Sequence, residues 1–411
     1  MITRIKLILA VFLLSSCSGL NKLSLYNLSG QYDNTLFTEI PSTYFNTQDE
    51  EAAVYVSVFM NDLVVGHDEE LARDYRKGIL SYQLFDNYES KQILASDSIL
   101  ILDSNLTVLD TIMEIRVQYP GRGKYILKLE LTDLNRVDVV REFLVLDNSQ
   151  PSGSGDFLIK NDLDKIMFTN VLGRNEPFFF QLADSLAERV FVRYYNRDFP
   201  LALPPFLEET ETNFDYNADS VFSIGVRDGM TDEIDLQKQG FYHYQTDTND
   251  RGGFTVFRFV DGFPNVVTTD QMLQPLRYIT TSSEFSEMEE AIDVKLAIDN
   301  FWLSISGNPA RARAMIQKYY GRVVDANRYF TSYIEGWKTD RGIIYIVYGP
   351  PRIVYRGKGV EEWLYGEKGN KNSIRLRFVK VINPFTENDY SLIKSPAYKE
   401  KWYNMVNNWR R

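Results

Sequence analysis

Short runs in which apolar and polar residues alternate recur through the first 150 residues, and this pattern constrains the fold more than any other feature. Successive side chains of a β-strand point to opposite faces, so an alternation of period two predicts a strand with one buried face. Such runs are separated by turn residues and cover residues 53–60, 81–85, 98–102, 111–118 and 125–131. The spacing predicts an antiparallel β-sandwich of immunoglobulin-like type over residues 50–148.

A stretch of small and polar residues follows this region. Asn148-Ser149-Gln150-Pro151-Ser152-Gly153-Ser154-Gly155 has the composition of a flexible connection, which predicts a linker over residues 149–155. Strand-like runs resume after it and predict a second antiparallel β-sandwich module, also immunoglobulin-like, over residues 156–265. Its segment 247–253 superficially resembles a calcium loop, but Arg251 stands where an EF-hand needs an oxygen ligand, so a hairpin turn is the better interpretation.

The last part of the chain changes to helical spacing of apolar residues. We predict one helix from Ser283 through Leu296 and a second that begins at Asn308-Pro309 and is weakened at Gly321. The apolar run 343–348 predicts a strand, further strands are expected at 361–365 and 374–379, and Ser395-Pro396 begins a final helix. These elements predict an α+β domain over residues 270–411, so the expected fold is multidomain and β-rich with two sandwiches before that domain.

The N-terminus has the pattern of a secretory leader. Arg4 and Lys6 precede an apolar run of eight residues, 7–14, which is too short to cross a bilayer and predicts a signal peptide over residues 1–16. Leu14-Ser15-Ser16-Cys17 resembles the lipobox of bacterial lipoproteins, whose cysteine is diacylated, and Cys17 is the only cysteine in the chain. We therefore expect lipid on Cys17 and a polar tether over residues 17–49. Ser18 favours the outer membrane by analogy with lipoprotein sorting, and we expect the periplasmic face.

The composition limits the chemistry that this chain can perform. The two histidines are His67 and His243, so Ser-His-Asp catalysis and zinc sites built from several His or Cys ligands have little support. We expect no metal and no cofactor. The formal net charge is −11 and no basic stripe stands out, so nucleic acid is not an expected partner.

One motif resembles a known family. Gly336-Trp337-Lys338-Thr339-Asp340, with Arg341-Gly342 and then Tyr348-Gly349-Pro350-Pro351, resembles the GWxTD-domain family, and Glu362-Trp363-Leu364-Tyr365 also fits its pattern. The resemblance covers about residues 310–380, and Arg352 departs from it. It implies an envelope lipoprotein of the kind found notably in Bacteroidota, and it brings no catalytic residues with it.

The motif itself allows three interpretations. In the structural one, Gly336 ends a helix, Trp337 fills a core, and Thr339 or Asp340 caps a helix or turns the chain into the following strand. In the second, an exposed Trp337 with Lys338, Asp340 and Arg341 forms a surface that contacts a protein or a glycan. In the third, Asp340 pairs with Glu361 or Glu362 as the carboxylates of a hydrolase.

These observations predict a non-catalytic outer-membrane lipoprotein that binds envelope proteins. We expect the two β-modules to space and present the C-terminal domain within an envelope machine for secretion, gliding or outer-membrane biogenesis. A glycan-binding lipoprotein remains an alternative, and a periplasmic hydrolase that depends on carboxylates is a weaker one.

Overall fold

The computed structural model describes residues 23–24, 26–32, 39–47, 50–69, 73–104, 106–150, 152–208, 214–370 and 373–411. The predicted signal peptide and the predicted lipidation site Cys17 lie outside the described residues. Within these ranges the chain forms antiparallel sheets followed by a C-terminal region with helices, which confirms the predicted β-rich fold with helices towards the C-terminus.

The first unit is built from two sheets that share one core. Its strands β1 to β8 form a sheet of order β1-β2-β6 and a sheet of order β3-β4-β7-β8, in which β5 also pairs with β4. Val54 and Val56 from the first sheet and Leu127 and Leu129 from the second are fully buried between them. The strands are β1 (Ser42–Asn46), β2 (Glu51–Phe59), β3 (Val65–Asp68), β4 (Arg73–Phe85), β5 (Ala95–Asp103), β6 (Asp110–Gln118), β7 (Lys124–Asp133) and β8 (Asp138–Asp147).

Two segments predicted to be flexible make specific contacts instead. β1 falls inside the predicted tether 17–49, yet it pairs with β2 over five residues. In the predicted linker, a side chain at Gly155 would meet the ring of Tyr44 at 2.3 Å. The carboxylate of Asp156 accepts hydrogen bonds from the backbone of Gly153 at 2.9 Å and from Asn46 at 3.0 Å. These contacts hold the connection against the first sandwich.

The second unit is a single path of seven strands in the order β15-β14-β11-β12-β13-β10-β9. The path curves back on itself, because the ring of Phe180 on β10 lies 4.8 Å from Tyr244 on β14 and 5.4 Å from Phe254 on β15. The strands are β9 (Phe157–Asn161), β10 (Phe178–Leu182), β11 (Arg189–Tyr195), β12 (Ser220–Arg227), β13 (Met230–Thr231), β14 (Gly240–Gln245) and β15 (Phe254–Arg258).

The C-terminal unit packs helices against a four-stranded meander of order β16-β17-β18-β19. Trp302 and Phe330 from the helices and Trp363 and Phe378 from the sheet are fully buried in one core. The elements are α1 (Thr269–Leu273), α2 (Ser282–Glu289), α3 (Val294–Ser306), α4 (Pro309–Phe330), α5 (Asp340–Tyr348), β16 (Ile353–Gly357), β17 (Val360–Tyr365), β18 (Ile374–Lys380), β19 (Tyr390–Leu392) and α6 (Lys399–Trp409).

Two local predictions for this unit are wrong. The run 343–348 belongs to helix α5 and is not a strand. The prediction failed because a short continuous apolar run does not distinguish a buried strand from a buried helix. The helix predicted from Ser283 through Leu296 is two helices, since Thr281 caps α2 and Asp293 caps α3. α4 continues unbroken through Gly321.

An aromatic cluster joins the second and third units. Phe385 and Tyr333, from the C-terminal unit, pack onto the face of Phe241 on β14, with ring centroids 5.0 and 5.9 Å away. Tyr195 on β11 stacks on the same phenylalanine at 4.9 Å. Burial of large rings makes this a close junction rather than a loose tether between modules.

Candidate functional site

Two glycines of the motif lie where no side chain fits. A Cβ atom at Gly336 would stand 1.9 Å from the carbonyl oxygen of Ala326 on α4. A Cβ atom at Gly342 would stand 1.9 Å from the carbonyl oxygen of Gly336. The backbones of α4, the turn Gly336–Lys338 and the start of α5 therefore touch directly, and only glycine permits this approach.

Polar side chains fix this contact. The hydroxyl of Thr339 caps α5, accepting from the backbone N–H of Gly342 at 3.1 Å and donating to the carbonyl of Gly336 at 2.8 Å. The side-chain oxygen of Asn327 on α4 accepts from the backbone N–H of Trp337 at 3.1 Å. A side-chain cap of this kind satisfies a free N–H of the first helical turn.

Asp340 connects the start of α5 to the edge of the sheet. One carboxylate oxygen accepts the backbone N–H of Leu392 on β19 at 2.8 Å, and the other lies 3.4 Å from the ammonium group of Lys394. The negative charge also stands in the first turn of α5, where the helix dipole favours an anion.

Arg341 and Glu361 form the centre of a buried charge network. The two side chains are 2% and 0% exposed, and their nearest nitrogen and oxygen atoms are 3.6 Å apart. Glu361 also accepts hydrogen bonds from Arg356 at 2.8 Å and from the indole N–H of Trp363 at 2.7 Å. Burial raises the pKa of Glu361, but the charges of Arg356 and Arg341 and these hydrogen bonds outweigh burial and hold the pKa below its usual value.

The network is completed by a residue from the other end of the chain. The hydroxyl of Tyr32 donates to Glu361 at 2.9 Å and accepts from Arg356 at 2.7 Å. The backbone carbonyl of Tyr32 accepts from the hydroxyl of Tyr345 on α5 at 3.0 Å. Tyr32 is 4% exposed and belongs to the same core as the helices.

The N-terminal segment, described at residues 23–24 and 26–32, lies along β16. The backbone N–H groups of Ser24 and Leu28 donate to the carbonyls of Arg356 and Val354 at 2.6 and 2.8 Å. The side chain of Asn27 accepts from the backbone N–H of Val354 at 2.9 Å. The segment thus covers an edge of the C-terminal sheet, although it falls within the predicted tether.

The structure corrects the second interpretation of the motif. An interaction surface requires exposed side chains, but Trp337, Asp340 and Arg341 are 8%, 7% and 1% exposed. Lys338 is partly exposed, with its ammonium group beside Glu335 and 5.4 Å from the ring centroid of Trp337. The residue types that suit recognition are used here for internal packing and internal ion pairs.

The carboxylates of the hydrolase interpretation also have separate internal partners. Asp340 is bound at β19 and Glu361 is bound by Arg356 and Trp363, as described above. Glu362 lies 3.3 Å from Arg375 on the neighbouring strand. Each carboxylate therefore has a structural role in its own surroundings.

An apolar strip that the sequence reasoning missed lies on the outer face of the first sandwich. The strand register places four residues in one row across neighbouring strands. They are Leu100 on β5, Ile79 on β4, Thr132 on β7 and Val139 on β8. Leu100, Leu102 and Val139 are 58%, 57% and 38% exposed. The signal for this strip was the unbroken run Ile99-Leu100-Ile101-Leu102, because a strand that is apolar on both faces cannot bury both in one sandwich.

A cleft of about 720 Å³ lies where the three units meet. It is lined by aromatic rings and polar side chains, among them Tyr216, Phe254, Asn383 and Glu387. The guanidinium of Arg251 lies 4.6 Å from the ring centroid of Tyr216. The lining of the cleft thus combines a few aromatic rings with many hydrogen-bonding groups.

In the described ranges, no group of three or more His, Cys, Asp and Glu residues is placed to hold a metal ion. No helix among the same residues has the length and apolar character needed to cross a membrane.

Comparison with known proteins identifies one region of the chain. A family model described as a GWxTD domain matches residues 240–411, from β14 to the last residue. No curated protein matches the chain significantly. Solved structures that match include a red sea bream transglutaminase and the calcium binding domain CBD12 of CALX1.1, both 11% identical.

These structural matches carry no argument about fold or function. The transglutaminase match has a TM-score of 0.21 and covers 55% of this chain and 32% of that one, about a third of its length. The CBD12 match has a TM-score of 0.16 and covers 61% and 87%. The family match agrees with the motif and with the backbone contacts that its glycines make. Residues 240–411 of this chain therefore belong to the GWxTD-domain family.

Proposed function

We propose that this protein is a non-catalytic lipoprotein of the outer membrane that binds other envelope proteins. Lipid on Cys17 anchors it, and its folded part lies on the periplasmic side. It acts as a structural component of an envelope machine, such as one for secretion, gliding or outer-membrane biogenesis. The proposal rests on the lipobox-like sequence for the anchor and on the surface of the first sandwich for the binding of partners.

The observation that carries the binding role is the apolar strip. Leu100 and Leu102 expose more than half of their surface on β5, and in the described part of the chain β5 pairs with β4 alone. A long edge strand with exposed apolar side chains is a site at which another chain can add a strand. Exposed apolar patches on folded proteins are a known mark of sites that bind other proteins.

The internal use of the motif supports a structural role over a catalytic one. The carboxylates of Asp340 and Glu361 bind backbone N–H, indole and guanidinium groups inside the fold. Catalytic carboxylates instead need to reach a substrate in a cleft.

Gentle extraction from native membranes tests this proposal. The mature protein is expected in a complex larger than the monomer, and the double substitution L100S/L102S is expected to release it. Leu186→Ser is the matched control, because Leu186 is 88% exposed on the second unit and lies outside the strip. A protein that is uniformly monomeric, or a complex that both variants leave intact, would contradict the proposed binding role.

Glycan binding is a second candidate, and the cleft at the junction of the three units favours it. The cleft is lined by aromatic rings and polar side chains, the two kinds of group that contact sugars. A glycan array should then show binding that Tyr216→Ala abolishes. Binding no stronger than background would remove this candidate.

A further inference from the structure

The direction of the N-terminal segment shows at which end of β16 Leu23 lies. Leu28 is hydrogen-bonded to Val354, near the start of β16, whereas Leu23 bridges Gly357 at its end in antiparallel orientation. Moving from Leu28 back to Leu23 therefore follows β16 towards the turn that joins it to β17. Leu23 therefore lies beside that turn.

Chain length then limits how far the turn can be from the anchor. Cys17 precedes Leu23 by six residues. A fully extended chain advances at most ~3.3–3.6 Å per residue, so the connection spans no more than about 22 Å. A lipid on Cys17 would hold the turn between β16 and β17 within that distance of the lipid headgroups.

The surface around this turn has side chains suited to a membrane interface. Lys358 lies exposed in the turn, and its backbone N–H donates to Glu89 in the β4–β5 loop at 3.0 Å. The same loop exposes Lys91 and leaves Ile93 46% exposed. Cationic side chains attract anionic headgroups, and an exposed apolar side chain can enter the boundary with the acyl chains.

We infer that the GWxTD domain lies against the membrane surface, with the β16–β17 turn and the β4–β5 loop facing lipid headgroups. This inference rests on the proposed lipid anchor at Cys17. It replaces the expectation that two β-modules hold the C-terminal domain away from the anchor. The buried contacts of Tyr32 secure the arrangement, because they tie the anchored end of the chain into the core of the domain.

Fluorescence quenching on the lipidated full-length protein tests this geometry. A fluorophore is attached at Lys358→Cys, and the protein is placed in vesicles of phosphatidylethanolamine and phosphatidylglycerol that carry a headgroup quencher. We expect strong quenching that is lost when a flexible spacer of about 30 residues, whose ends lie about 30 Å apart on average, is inserted before Leu23. Gly30→Ala is the matched control and should keep the quenching, since no atom lies within 4 Å of the added Cβ.

Two independent measurements distinguish a failure of this inference from a failure of the proposed anchor. Mass spectrometry of the N-terminal peptide reports the lipid on Cys17 independently of the fluorophore. A lipidated protein whose label at position 358 is not quenched, or is quenched equally with the spacer, would overturn the membrane-facing arrangement and leave the anchor in place. A peptide without lipid would overturn the anchor itself.

Discussion

Replacing Gly336 with alanine tests whether the motif holds helices together by direct backbone contact. The new Cβ atom would lie 1.9 Å from the oxygen and 2.7 Å from the carbon of the Ala326 carbonyl. Carbon and oxygen atoms ordinarily approach no closer than about 3.3 Å, so the turn must move away from α4 by more than about 1 Å. Overpacking of this kind costs about 1–3 kcal/mol, and more where rigid backbone must move.

The shift would also strain two hydrogen bonds that cross the contact. The backbone N–H of Gly336 donates to Thr331 at 3.0 Å, and that of Trp337 donates to Asn327 at 3.1 Å. Each contributes about 1 kcal/mol. We therefore expect Gly336→Ala to lower the free energy of unfolding of the C-terminal unit by about 3–5 kcal/mol.

Gly321→Ala is the matched control, because it adds the same methyl group to an open position. No atom lies within 4 Å of the added Cβ, and Gly321 is exposed in the middle of α4. Alanine favours a helix over glycine by about 1 kcal/mol, so this variant should be slightly more stable than the parent protein.

Tryptophan fluorescence during denaturant unfolding is the assay. All five tryptophans lie between residues 302 and 409, so the signal reports on the C-terminal unit alone. The two alanine variants should shift the midpoint in opposite directions. A Gly336→Ala protein with the same midpoint as the parent would refute the close backbone contact.

Three further predictions concern the buried polar groups. Glu361→Gln leaves two buried arginines without their counter-charge and should cost about 3–5 kcal/mol in the same fluorescence assay. The pKa of Glu361 in the folded protein lies below its usual value. The stabilisation from this carboxylate is therefore present above the unfolded pKa and is lost as pH falls through the folded pKa. The Gln variant should lack this acid dependence. Tyr32→Phe removes a hydrogen bond to a charged group and should cost about 1.5–3 kcal/mol, whereas an unchanged midpoint would place the hydroxyl outside the network. Burial lowers the pKa of His243 from 6.5 to about 4, so the unfolded chain binds a proton that the folded one does not. Stability of the second unit, followed by circular dichroism, should therefore fall as pH drops from 6.5 towards 4, and His243→Gln should remove that dependence.

The alternating runs predicted the β-strands well because each strand buries one face. Residues 53–60 and 125–131 contain the valines and leucines that fill the first core. The final helix was also predictable, since Trp402 and Trp409 recur at helical spacing and both are buried. In these elements the local pattern and the tertiary packing specify the same structure.

Other features depended on contacts that a single sequence does not display. Residues 343–347 are all buried, so the apolar run showed no alternation that could distinguish a helix from a strand. The partners of Glu361 include Tyr32, which is 329 residues away along the chain. Charged residues that follow a tryptophan within a few positions indicate recognition and core packing equally well, and the burial of Trp337 and Arg341 decides for packing.

Affinity purification of a tagged copy from crosslinked native membranes tests most directly whether this protein works, as proposed, by binding envelope proteins. Mass spectrometry should find a reproducible set of envelope proteins with the parent chain and with Leu186→Ser. The same set should be lost with L100S/L102S. A clean monomer from the parent chain, or an identical set of proteins from all three, would contradict binding through the apolar strip.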